Sequence, residues 1–154
     1  YQFDSKNLVD IAKGDFSFGS ESEKKEEKEK SEKLASELKP FLDSVKEKLS
    51  EYVSDVKISN RLTQSACCLV AAEGAMSASM VRMMKAMQQN VPEQKRVLEI
   101  NPDHELIKKM QTLSGDQFSD MVSLLYDSAL IAEGSPVTDA AKFSKKMVEL
   151  MMKA

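Results

Sequence analysis

Two adjacent cysteines, Cys67 and Cys68, and the single histidine, His104, are the residue types here that suit nucleophilic chemistry. A reactive thiolate needs an electropositive, partly open setting with a base in reach. Cys67 and Cys68 lie instead within the apolar run Ala66–Ala72, which favours inert packing. A bridge between neighbouring cysteines is strained, so no structural disulfide is expected. One histidine and two adjacent thiols lack ligand spacing, so no zinc site is expected either. The five glycines are isolated and build no phosphate-cradling loop. The stronger signal is a methionine stripe. Met76, Met80, Met83, Met84 and Met87 follow at steps of four, three, one and three, which is one face of a helix. Methionine is unbranched and polarizable, and it repacks around many partner shapes. Burying one such side chain is worth roughly 1.5–3 kcal/mol. On spacing alone, the stripe reads as an ordinary core face.

Composition narrows the setting. The 154 residues suit one domain, or a domain with an appended arm. A net charge of -3 gives no field that attracts nucleic acid or anionic lipid. Charged residues make up 31% and aromatics 6%, with no tryptophan, which argues against base-stacking platforms. The longest apolar run, Ala66–Ala72, falls far short of the ~20 residues that cross a bilayer. Asp4, Asp10 and Asp15 interrupt any apolar centre of a signal peptide. Unpaired thiols fit a reducing compartment, and cytoplasm is expected.

The elements follow from periodicity. Residues 1–20 have no clear period and read as the tail of a preceding domain or a linker, in a chain cut from something longer. From Glu21 to Lys33 nearly every residue is Glu or Lys, and Glu21–Lys25, Glu26–Lys30 and Glu29–Lys33 have the favoured helical order. Leu34, Leu38, Phe41, Leu42, Val45, Leu49 and Tyr52 continue as a core-facing stripe, with a kink or restart expected at Pro40. Val56, Ile58 and Leu62 alternate as a half-buried strand, and Cys67–Val70 and Arg96–Ile100 are further strands. Between the last two lies the Met helix, roughly Ser77 to Gln89, closed by Asn90-Val91-Pro92. Asn101 is the expected N-cap of the next helix, with Pro102 at its first position and Asp103 on its dipole. His104 then falls in the first turn, at the surface, and Leu106, Ile107 and Met110 carry the helix on. A helix over Gln117–Glu133 carries apolar residues on more than one stripe. Gly134-Ser135-Pro136 breaks it, and Asp139 caps a last helix with Phe143, Met147, Leu150 and Met151 on one face. Such a hairpin can pack within one chain or build a four-helix bundle between two copies.

Several segments, in order, carry a resemblance. They are Asn60-Arg61-Leu62-Thr63, Met76-Ser77-Ala78-Ser79-Met80, Val91-Pro92-Glu93-Gln94-Lys95, Leu98-Glu99-Ile100-Asn101-Pro102-Asp103-His104 and Leu124-Leu125-Tyr126-Asp127-Ser128-Ala129-Leu130-Ile131-Ala132. Together they resemble the C-terminal domain of the ninety-kilodalton heat-shock (Hsp90) chaperone family, in its bacterial form. The likeness is loose before Tyr52 and strong after Arg61.

The resemblance implies an α+β fold: a long charged leading helix, a small three-stranded sheet with packed helices, and a C-terminal helical hairpin forming a dimeric four-helix bundle. It implies a tail over residues 1–20 and a dimerisation domain over 21–154. It further implies that Met76, Met80, Met83 and Met84 touch non-native client proteins, and helical spacing adds Met87. The paired hairpins place Leu124, Leu125, Ile131, Phe143, Met147, Leu150 and Met151 at the expected dimer interface. The family's ATPase belongs to an N-terminal domain unlike anything here. No catalytic residue, metal or cofactor is therefore expected in this stretch, and ATP and magnesium belong to the full-length protein. Expected partners are a second copy and non-native clients, with neither nucleic acid nor membrane.

Departures are few. Ala66 and Ala140 stand where many members have proline, and Cys67 and Cys68 stand where bacterial members often have valine. The end Met151-Met152-Lys153-Ala154 lacks the acidic tail of the eukaryotic cytosolic branch. A different class of function, a helical adaptor or scaffold binding one partner through the Met stripe, uses the same residues.

Overall fold

The computed structural model of the chain describes residues 2–3, 6–7, 29–30, 32–91 and 94–153. Most of the expected 1–20 tail and of the charged run from Glu21 lies outside the described residues. Within that stretch β1 (Gln2–Phe3) pairs antiparallel with β2 (Lys6–Asn7).

Helical residues 32–37 form α1 and lead into α2 (Lys39–Lys48). Pro40 sits in the first turn of α2, where its missing N–H costs nothing, so the expected interruption is a restart after Leu38. Next come β3 (Val53–Ile58), β4 (Cys67–Val70), α3 (Ala78–Ala86), β5 (Arg96–Ile100), α4 (Glu105–Met110), α5 (Gly115–Ala132) and α6 (Ala140–Lys153). The fold is α+β.

β5 is the middle strand of the three-stranded sheet, parallel to β3 and antiparallel to β4. Its residues Val97, Leu98, Glu99 and Ile100 are all buried, as a strand covered on both faces must be. Leu42 and Val45 of α2 and Leu49, its C-cap, pack with Val53 and Val56 of β3, Leu98 and Ile100 of β5, Ile107 and Met110 of α4, and Phe118, Val122 and Leu125 of α5. Phe41 and Phe118 meet edge to face at 6.0 Å between ring centroids. Neither α3 nor α6 contributes a buried residue. These two helices with no part in the core leave large apolar side chains exposed.

Three expectations need correction. Leu62 is not in a strand, because the Ser59 hydroxyl accepts from the N–H groups of Arg61 and Leu62 at 3.3 and 3.2 Å and turns the chain just beyond Ile58. Asn101 is not the helix cap. Its Oδ1 accepts from Asp103 N–H at 3.1 Å, its amide donates to Ser65 O, and the helix begins later, with His104 as N-cap accepting Leu106 N–H on Nδ1 at 3.1 Å. The Met helix ends at Ala86, three residues before Gln89. Gln88 there enters the left-handed region at φ 57°, and Gln89 N–H closes back on Met84 O at 3.0 Å, a Schellman-type end.

Candidate functional site

Ser77 starts α3 as its N-cap, its hydroxyl accepting Met80 N–H at 3.4 Å. The short helix that follows keeps its stripe open: Met80, Met83 and Met87 are 52%, 63% and 60% exposed. Met76 and Met84 are half-buried. The core reading that spacing favours is therefore overturned for α3, while Met110, outside the stripe, is enclosed. Beneath α3 lies a groove of about 870 Å³, whose lining includes Met76, Val81, Leu69, Tyr52, Tyr126 and Leu130. Tyr52 and Tyr126 stand with ring centroids 5.4 Å apart.

The second apolar surface is on α6. Asp139 caps this helix, its Oδ1 accepting Lys142 N–H at 2.9 Å, as its sequence position suggests. Phe143 and Met147 are half-buried toward α5, whereas Val148, Leu150, Met151 and Met152 are exposed, as is Ile131 at the end of α5. The residues named from sequence thus divide. Leu125, 3% exposed, belongs to the core of this chain, and Leu124 is buried too, while Met151 is 67% exposed. Val148 and Met152 went unnamed in the sequence reading, although they lie one step from the chosen stripe.

Glu133 closes α5 and gathers three contacts. Its carboxylate pairs with Arg96 of β5 and accepts from Ser135 Oγ at 2.6 Å, while its carbonyl oxygen accepts from Arg82 Nη1 of α3 at 2.7 Å. Gly134 takes φ 79° in the turn that follows, a conformation suited to glycine.

The thiols are packed. Burial, with the adjacent Cys68 second, pushes Cys67 up to about 12. Cys68 is raised by burial and then by the Glu99 carboxylate, to which its Sγ lies 3.8 Å away. Glu99 is itself satisfied by Arg61, with Nε 3.1 Å from Oε2. Neither sulfur is activated as a nucleophile. His104 is occupied in capping α4. Among the described residues no cluster of His, Cys, Asp or Glu suits a metal, and no helix is long and apolar enough to cross a membrane.

Comparison with known proteins places this geometry. The family model described as Hsp90 protein matches residues 1–154. The chain is 46% identical over 156 residues to the chaperone protein HtpG of Geobacter sulfurreducens, covering 98% of this chain and 24% of that protein. It is 40% identical over 153 residues to the HtpG of Bordetella parapertussis, covering 99% and 24%, and equally similar to that of Psychrobacter cryohalolentis, covering 98% and 23%. The chain spans about a quarter of the length of these relatives. With the whole of its length matched by that model, the chain belongs to the Hsp90 protein family.

Proposed function

We propose that this chain is the C-terminal module of an ATP-dependent chaperone of the bacterial cytoplasm, joining two copies and holding non-native proteins. Residues 21–154 form the module and residues 1–20 the tail of the domain before it. The carrying observation is that α3 and α6 have no fully buried residue in this chain, yet each exposes several large apolar side chains. Exposed apolar area of that kind marks surfaces that meet other molecules. On α6 the occupant is the hairpin of a second copy, which keeps the missing upstream domains at high effective concentration. On α3 it is the apolar part of an unfolded client, met by methionines that adapt to many shapes. ATP hydrolysis and its magnesium reside in the upstream domains, so the isolated chain turns over no ATP.

Titration of the chain with a reduced, carboxymethylated protein and with the same protein in its native state tests the reading. Binding of the unfolded form alone, in the micromolar range, is expected for a client site. Tight binding of a single folded partner, with no affinity for unfolded chains, would favour the adaptor class and overturn the client assignment.

A further inference from the structure

We propose that Glu133 and Arg82 form the tether that positions α3, tying the exposed methionine face to the end of the α5–α6 hairpin. The importance of the tether for binding rests on the reading of α3 as the client helix. Its mechanics do not.

The need for a tether comes first. α3 has nine residues, none fully buried and only Ala78, Val81 and Met84 half-buried, so packing anchors it weakly. Isolated helices this short are marginal in water. Its C-terminal end closes in a Schellman-type turn through Gln88 at φ 57°, a left-handed conformation that is costly for a residue other than glycine. Something outside the helix must fix its orientation.

Arg82 lies midway along α3 and reaches Glu133 O at 2.7 Å. That carbonyl belongs to the last turn of α5, where partial negative charge collects and a guanidinium is favourably placed. Glu133 is held in turn from two sides. Ser135 Oγ fixes one carboxylate oxygen, and Arg96 pairs with the carboxylate from the middle strand of the sheet. The backbone around it is pinned as well, with Glu133 N–H on Ala129 O, Gly134 N–H on Ile131 O and Ser135 N–H on Leu130 O. The acceptor presented to Arg82 is therefore preorganised.

The Glu133 carboxylate has a second task. Arg82 and Arg96 are close enough that the Arg82 charge, after burial, helps hold the Arg96 guanidinium below its usual pKa, against the opposing pull of Tyr126. The Glu133 carboxylate, paired with Arg96, offsets one of these two positive charges. Without its charge, Arg96 and Arg82 repel across the gap that the tether must span. Removing either Arg82 or the Glu133 charge should free α3 without touching the core. A shift of the α5 end would move α3 with it, which gives the hairpin mechanical access to the methionine face.

Hydrogen–deuterium exchange across residues 78–86 of the whole chain reads the tether directly. Arg82→Gln and Glu133→Gln should speed exchange there roughly three- to tenfold, the size expected when a charge-assisted hydrogen bond is lost. Lys85→Gln, the same charge change on the same helix, should leave exchange within about twofold. Unchanged exchange in Arg82→Gln, an exposed position unable to disturb folding, would overturn the tether whatever the binding data show. Faster exchange with undiminished binding of a reduced, carboxymethylated protein would uphold the tether and remove α3 as the client site.

Discussion

Lys146 of α6 holds its ammonium 3.0 Å from Asp120 Oδ1 of α5, and this pair lies on the side of α6 that faces inward. Phe143, Lys146 and Met147 share the stripe turned to α5 and are half-buried. Val148, Met151 and Met152, about a quarter of a turn or more from the centre of that stripe on a 3.6-residue helix, are left outside. The apolar surface offered to another molecule is therefore the second stripe, while Leu150, 40% exposed, lies on the inward one and shares a cleft with Met121 and Leu124 of α5. Leu125, on α5, looks the other way into the sheet and α2.

Leu125→Ala should accordingly act as a core truncation, costing about 2–5 kcal/mol in urea unfolding. Stability unchanged from the parent would mean that Leu125 is not packed in the core.

The paired change Met80→Ser with Met83→Ser removes two exposed thioethers. Thermal stability should stay within about 0.5 kcal/mol of the parent, the usual range for surface changes. Binding of an unfolded protein should weaken roughly tenfold, in proportion to the apolar contact removed. A large fall in melting temperature without loss of binding would refute the open-face reading, and calorimetry alongside fluorescence titration separates the outcomes.

Cys67 is buried and its thiol pKa stands at about 12, so almost no thiolate exists at neutral pH. Modification by a thiol reagent under native conditions should be at least ~100-fold slower at Cys67 than in denaturant. Rapid native labelling of Cys67, followed by peptide mass spectrometry, would show that β4 opens readily.

Asp127 gives a pH test. Burial raises its carboxyl above the ordinary 3.8, Lys146 opposing, Asp139 adding and Lys142 opposing again. A carboxyl whose folded pKa exceeds its unfolded pKa binds more proton when folded. Its contribution to stability therefore falls as pH rises between the two values and remains unfavourable above them. Asp127→Asn lacks this penalty, so the variant should gain on the parent as pH rises from about 4. Denaturant midpoints that move the opposite way would contradict the raised pKa.

Pattern alone marks the strands Cys67–Val70 and Arg96–Ile100 to the residue, the first inside the apolar run Ala66–Ala72 and the second as a largely apolar stretch ahead of the turn-forming Asn101-Pro102. Apolar alternation ran past Ile58 to Leu62 because it carries no record of the Ser59 hydroxyl that turns the chain. Asn101 and His104 both make cap-like hydrogen bonds, and only the backbone path separates the turn from the helix start. For the surfaces, periodicity finds a stripe and stays silent on what faces it. The α3 methionines and Met110 are alike in chemistry, and the packing of α4 against the sheet and of α3 against almost nothing separates them. On α6 apolar residues lie on both sides of the helix, and the Lys146–Asp120 pair marks the one turned to α5.

Sedimentation equilibrium of the chain tests the central claim most directly. The account predicts a mass of twice 17.2 kDa, falling to the single-chain value in Val148→Asp with Met151→Asp while circular dichroism stays unchanged. A parent chain that sediments at 17.2 kDa at all accessible concentrations would contradict it.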